Sequence, residues 1–309
     1  MMKQYDVLLI GEALVDFVPE EGCIPGRFRA VIGGAPNNVA CGLGKLGIKT
    51  ALLARVGRDA MGTGIMRTVE SCGVDTQYIQ IDRKRPTTVT IVMPESADML
   101  RYAIYRSESA DSALDFEEIP DEIFDHTRIL HYGSLAAAAG QSKKTMEKSI
   151  ERAKGSGVIT SLDVNLRPNS WMSEEIMIQE CRRLVEVSDI VKMTKDEAKT
   201  LKIEPERLAR SKKKVVIVTD GGNTATIWAD DCKVSKKPDE IEVVDVTGGG
   251  DSFMSAFLYY YVTYKGRMSA DNFYRSAIDF AVYASSISVQ RFGAIESLPV
   301  LEEIEQNRR

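Results

Sequence analysis

The sequence predicts an α/β fold, with a mostly parallel central sheet, helices on both of its faces, and a small separate β-sheet. Three observations carry this. Short β-rich runs alternate with amphipathic helical stretches along most of the chain. Several of the runs are apolar without alternation, as strands covered on both faces are. Two segments, 14–30 and 87–106, hold strand-type residues yet break the alternation.

In chain order, strands are expected at 7–10, 50–56, 128–132, 158–163, 190–193 and 215–219. Helices are expected at 36–46, 62–71, 142–154, 174–187, 251–264 and 271–289, the last two being long and consecutive. Pro36 suits a first helical turn, where its missing N–H costs nothing, and Gly47 is placed as a C-terminal stop. Runs 87–93 and 100–105 flank the turn-rich 94–98 and predict a hairpin. The expected division is a core of 1–11, 31–86 and 107–309 with a β lid of 12–30 and 87–106.

At 309 residues, 44% of them hydrophobic and 28% charged, the chain has the make-up of a folded globular protein. Its net charge of -5 gives no overall attraction to nucleic acid. Lys212-Lys213-Lys214 and Lys236-Lys237 read as solvated surface. Cys23, Cys41, Cys72, Cys181 and Cys232 lack CxxC spacing and read as free thiols of a reducing compartment. With only His126 and His131, a histidine-rich zinc site is not expected. The first residues run into a short strand rather than a leader, and no window reaches the ~20 apolar residues of a membrane span. A cytoplasmic protein is expected.

The most informative string is Asp245-Val246-Thr247-Gly248-Gly249-Gly250-Asp251-Ser252-Phe253. It follows strand-like residues 242–244 and opens an apolar helix. Three glycines there let backbone N–H groups approach a ligand without Cβ interference. The unpaired amides and dipole of the first helical turn favour an anion, such as a phosphoryl group in transfer. Asp251 could take the proton of an attacking hydroxyl. The plainer alternative is a glycine turn with Asp251 as a helix cap.

A second glycine pair, Gly33-Gly34 before Ala35-Pro36-Asn37-Asn38, also precedes a helix, and Asn38 can both donate to and accept from hydroxyls. Asp16, just beyond the first strand, is a carboxylate of the kind that accepts from polyols. Gly42-Leu43-Gly44-Lys45-Leu46-Gly47 satisfies G-x-G-x-x-G but falls at a helix end, where the dinucleotide fingerprint has no function. No G-x-x-x-x-G-K-[ST] string occurs, which excludes a P-loop.

Together the two glycine motifs resemble the signatures of the ribokinase-like (PfkB) carbohydrate kinases. Gly11-Glu12, Val56-Gly57-Arg58-Asp59 with Gly62, Gly73-Val74-Asp75, Val218-Thr219 with Gly221, and Arg291-Phe292-Gly293-Ala294 match further landmarks, so the likeness spans nearly the whole chain. Asp163-Val164-Asn165-Leu166-Arg167-Pro168 with Trp171, and Tyr105-Arg106 with Ser109-Ala110-Asp111, are similar to the fructokinase subgroup. The resemblance implies a three-layer α/β/α fold with a β lid, and ATP, Mg2+ and in some relatives K+ as cofactors.

It also implies roles. Asp251 would be the base and Gly248, Gly249 and Gly250 the anion hole. Asp16, Gly33, Gly34, Asn38, Tyr105, Arg106, Asn165 and Arg167 would surround the sugar. Lys192, Thr219, Gly221, Thr247, Gly248, Gly250 and Val282 would line the nucleotide side. Glu197 would organise magnesium through water, and Asp245 would lie near a monovalent cation. Departures from the family pattern are Thr194 for Asn, Thr224 for Gly, Val282 for Asn or His, and Gly249 for Ala. A 2-keto-3-deoxygluconate kinase, using Arg106 and Arg167 on the substrate carboxylate, is the second reading. A catalytically silent sugar-binding regulator is the third, and lid-to-lid dimerisation is expected by analogy.

Overall fold

In the computed structural model, described for residues 4–20, 26–96, 99–138, 140–229 and 232–306, the apolar runs become the inner strands of a nine-stranded sheet. The elements in order begin β1 (Tyr5–Ile10), β2 (Leu14–Pro19), β3 (Phe28–Gly33), α1 (Ala35–Lys45), β4 (Thr50–Gly57), α2 (Ala60–Ser71), β5 (Ile79–Asp82), β6 (Val89–Ser96) and β7 (Met99–Tyr105). They continue α3 (Glu122–Asp125), β8 (Thr127–Gly133), α4 (Gly140–Gly155), β9 (Ile159–Asp163), α5 (Glu174–Val187), β10 (Ile190–Thr194), α6 (Lys195–Thr200), α7 (Pro205–Lys212) and β11 (Val215–Thr219). The chain then forms β12 (Ala225–Ala229), β13 (Cys232–Lys236), α8 (Gly249–Tyr264), α9 (Ala270–Val289) and α10 (Leu301–Gln306).

The large sheet runs β13-β12-β11-β10-β9-β8-β1-β4-β5, parallel from β11 to β5 and antiparallel at β12 and β13. Alternate residues of β1 point to opposite faces. Val7 and Leu9 join the cluster packed under α1, α2, α8 and α9, whereas Leu8 and Ile10 join the one under α4 and α5. That double coverage explains why the inner strands read as unbroken apolar runs.

All six expected strands and six expected helices form. The sequence missed β5, β12 and β13, which are four or five residues long and lie at the sheet's ends. Residues 242–244 are not a strand. Val243 and Val244 are exposed, and the amides of Val244 and Asp245 both donate to the Val289 carbonyl at the end of α9, at 2.8 and 3.1 Å. The segment hangs on a helix end instead of a sheet. Cys41, Cys72 and Cys181 are buried free thiols; Cys23 and the turn residues Ala97 and Asp98 lie outside the described residues. No helix among the described residues is long and apolar enough to cross a membrane.

The two segments that break the alternation pair in one small sheet, β3-β2-β6-β7, antiparallel except for the parallel β2–β6 pair. Its root is fixed by two aspartates. Asp59 caps α2 through the Gly62 amide and also accepts from the amide and hydroxyl of Thr87, each at 2.8 Å. Gly57 and Gly62 are needed there, because a Cβ on Gly57 would meet the Thr87 amide nitrogen at 2.4 Å and one on Gly62 the Gly57 oxygen at 2.1 Å. Asp111 accepts from Thr88 and Ser109 and pairs with Arg106 at 2.5 Å, so it grips the start of β6 and the end of β7 together.

Candidate active site

The site forms around the N-terminus of α8. Gly248 caps the helix at φ 76°, a left-handed conformation, and a Cβ there would lie 3.0 Å from the Ala294 Cα. A Cβ on Gly249 would sit 2.7 Å from Val289 Cγ1, and one on Gly250 2.8 Å from Lys192 Nζ. The backbone is therefore bare at this helix start, where the Gly249 amide makes a long 3.3 Å bond to the Val246 carbonyl. An alanine at 249, the expected family residue, would require Val289 to shift.

Asp251, one residue on, is 9% exposed and accepts a 2.8 Å hydrogen bond from Asn38 Nδ2. Asn38 reaches it because α1 lies directly on α8; a Cβ on Gly42 would fall 2.5 Å from Ser255 Oγ. Burial pushes the Asp251 carboxyl above its ordinary range, opposed by the Asn38 bond and by the Lys192 and Arg167 charges.

On one side of this turn is a pocket under the small sheet. Of the expected sugar-side residues, Asp16, Gly34, Asn38, Asn165, Arg167 and Asp251 line it. Gly33 supports it from behind, since a Cβ there would strike Asp16 Oδ2 at 2.1 Å. Burial raises Asp16 to about 6, while Thr90 and Arg167 pull the other way. Thr247 and Gly248, which the sequence reading put on the nucleotide side, border this pocket and do not line the cleft opposite.

On the other side is a cleft of about 530 Å3. Lys192, Thr219, Gly221, Gly249, Gly250 and Val282 line it, and Val282 gives it an apolar wall.

Two expected sugar contacts are not brought to the pocket. Side chains alternate along β7, so Ile104 lines the pocket while Tyr105 points outward and is 60% exposed. Arg106 is committed to Asp111 and donates to the Leu135 carbonyl at 2.7 Å. Glu197 closes a capping box with Thr194, accepting from the Thr194 and Leu166 amides, each at 2.7 Å. Thr194, the departure from Asn, is thus the helix cap. The Asp245 carboxylate accepts from Thr247 and Gly293 amides at 2.8 and 2.9 Å, which braces the loop behind Gly248.

Two participants escaped sequence reading. Glu12 lines the pocket, with Oε1 accepting from the Ala35 amide and Oε2 buried without a protein partner; burial raises it to about 7. Asp163 holds Lys192 Nζ at 2.7 Å and is raised by burial to about 6, its Oδ1 unpartnered. Both sit in strings already singled out, beside residues that drew the attention.

The raised carboxyls predict a pH dependence. Folding favours their protonated forms, so the stability they contribute is fully present below the ordinary carboxylate range. It falls as pH climbs through their folded values. Glu12→Gln should remove part of that decline. In denaturant titrations the variant should gain on wild type between pH 5 and pH 8; a pH-independent difference would count against a buried, raised Glu12.

Comparison with known proteins finds sugar kinases along nearly the whole chain. Probable fructokinase-2 of Arabidopsis thaliana is 30% identical over 304 residues, covering 95% of this chain and 92% of the relative. The uncharacterized sugar kinase PH1459 of Pyrococcus horikoshii, solved in complex with ATP, is 29% identical, superposes with a TM-score of 0.86 and covers 96% of both chains. Fructokinase of Vibrio cholerae O395 has the same fold, with a TM-score of 0.86 over 98% of both chains at 24% identity. Residues 4–301 match the pfkB family carbohydrate kinase profile, and the chain belongs to that family.

Proposed function

We propose that this carbohydrate kinase is a fructokinase, transferring the γ-phosphate of ATP to a primary hydroxyl of fructose. The observation that carries the reading is the placement of Asp251. It is buried at the first turn of a helix with bare glycine amides, between a hydroxyl-binding pocket and a cleft large enough for a nucleotide. Asp16 and Asn38 accept and orient sugar hydroxyls. Asp251 takes the proton of the attacking oxygen, and the Gly249 and Gly250 amides with Lys192 stabilise charge on the transferring phosphoryl. Val282 and its apolar neighbours face the base.

Magnesium fits as a water-mediated ion. Among the described residues no group of three His, Cys, Asp or Glu side chains could hold a metal directly. Glu197 and the unpartnered Asp163 Oδ1 instead present acceptors to coordinated water, in keeping with an ion that keeps its hydration. Bound there with the nucleotide, it neutralises phosphate charge.

The charge balance of the pocket favours a neutral sugar over a sugar acid. Glu12, Asp16 and Asp251 line it with Arg167, while Arg106 is already paired with Asp111. 2-Keto-3-deoxygluconate remains the second reading, because Arg167 faces the same space. The purified protein should be supplied with Mg·ATP and fructose, 2-keto-3-deoxygluconate, ribose or nucleosides, with ADP and product followed. Fructose-dependent turnover is expected. Turnover with the keto acid alone would reassign Arg167 as its clamp, and sugar binding without product would mark a silent regulator. The small sheet's edge strands β3 and β7 suit lid-to-lid pairing; a monomer in sedimentation at micromolar concentration would dismiss it.

A further inference from the structure

The small sheet meets the core at a second place, away from its root. In β3, an edge strand, Arg29 lies opposite Val18 of β2, four residues before Gly33. Its guanidinium carbon is 4.9 Å from the ring centroid of Phe292. Phe292 is 41% exposed, in the loop between α9 and α10. A planar cation over the ring's face is attracted by its negative quadrupole.

The Phe292 loop is stiff on both sides. Arg291 pairs with Glu303 at 2.6 Å. Gly293, at φ 89°, donates to Asp245, whose other oxygen takes the Thr247 amide. Ala294 then packs against Gly248, the cap of the anion hole. A short run of contacts thus joins Arg29 to Gly248.

We propose that Arg29 and Phe292 form a latch that sets the position of the small sheet relative to the anion-hole loop, and that they are positioning residues for phosphoryl transfer. This rests on the kinase reading. The pocket is walled on one side by Asp16, Thr90 and Ile104 of the small sheet and on the other by Thr247, Gly248 and Asp251 of the core. Sugar held by both walls is aligned only when their separation is fixed, and water is excluded by the same closure. The latch fixes that separation at the end opposite the Asp59 and Asp111 root.

The test compares Arg29→Gln, Phe292→Leu, Phe292→Tyr and the Arg29→Gln/Phe292→Leu double variant with wild type. Both positions lie at the surface, and Leu keeps apolar bulk while losing the ring. Each of Arg29→Gln and Phe292→Leu should raise the KM for fructose about two- to fivefold, the scale of an exposed cation–π pair. The KM for ATP should hold, and ATP hydrolysis without sugar should increase. Phe292→Tyr should behave as wild type. The double variant should be no worse than either single one, as expected of partners in one contact. Additive losses, an impaired Phe292→Tyr, or an unchanged fructose KM would overturn the latch. Amide exchange of the free protein at 14–19 and 28–33 provides a readout independent of activity. It should quicken in both single variants, and unchanged exchange would also overturn the proposal. Wild-type inactivity with fructose would fault the fructokinase reading, and the exchange data would then decide the latch alone.

Discussion

Asp251→Asn is expected to lower kcat by about 10²- to 10⁴-fold, the usual worth of a positioned general base, while leaving the KM for sugar within a few-fold. The amide keeps an oxygen toward Asn38 Nδ2 and fills the same volume, so the pocket should remain formed. What it loses is the capacity to accept the hydroxyl proton. Stability gives an independent check with a definite sign. Because burial raises the folded Asp251 carboxyl, its ionised form is held at a cost at neutral pH, and that cost vanishes in the neutral amide. The variant should therefore melt no lower than wild type at pH 7.5. A slow enzyme of normal stability is the expected pair of results. Near wild-type turnover would remove Asp251 from the role of base, and slow turnover accompanied by a large loss of stability would make the kinetic loss uninterpretable as chemistry.

Legibility in the sequence followed the physics of each element. Doubly covered strands such as β1 and β11 announce themselves by unbroken apolar runs, and capped helices such as α1 by Gly34, Pro36 and Gly47. Edge strands carry weaker patterns: β12 alternates buried and half-buried residues over only five positions. The glycines of the site were legible because their absence of side chain is itself the signal. Strand parity decided Tyr105, since the pleat turns Ile104 inward. Arg106, just past β7, is instead claimed by Asp111, five residues on, which also grips Thr88 from twenty-three residues earlier. Glu197 shows both sides: its capping box with Thr194 is local, whereas its bond to the Leu166 amide, thirty-one positions earlier, is not. Partners far apart in sequence are what a single sequence hides.

The buried Lys192–Asp163 pair was hidden in that way, and it carries the second large effect. Lys192→Met should cost about 3–5 kcal/mol, the usual result of stranding one member of a buried ion pair. Asp163 would remain buried without its counter-ion, facing Glu197 and Asp251 as neighbouring negative charges. Its folded carboxyl already stands near 6 with the lysine present, and removal of that cation shifts it further up. The stranded acid can then escape its penalty by taking a proton. The deficit should accordingly be largest at pH 8 and shrink as pH falls toward 5 in denaturant titrations. A charge-balanced Lys192→Met/Asp163→Leu variant separates structure from chemistry. With no unpaired charge left, most of the lost stability should return, because well-packed apolar replacements of buried pairs are tolerated. Activity should not return. Lys192 Nζ stands 2.8 Å from where a Cβ of Gly250 would be, beside the amides proposed to face the phosphoryl group. Loss of that fixed charge should depress kcat about 10²- to 10³-fold, as removal of a preorganised donor does. A stable double variant that turns over normally would confine Lys192 to the fold. A stable and inactive one would place its charge in the reaction.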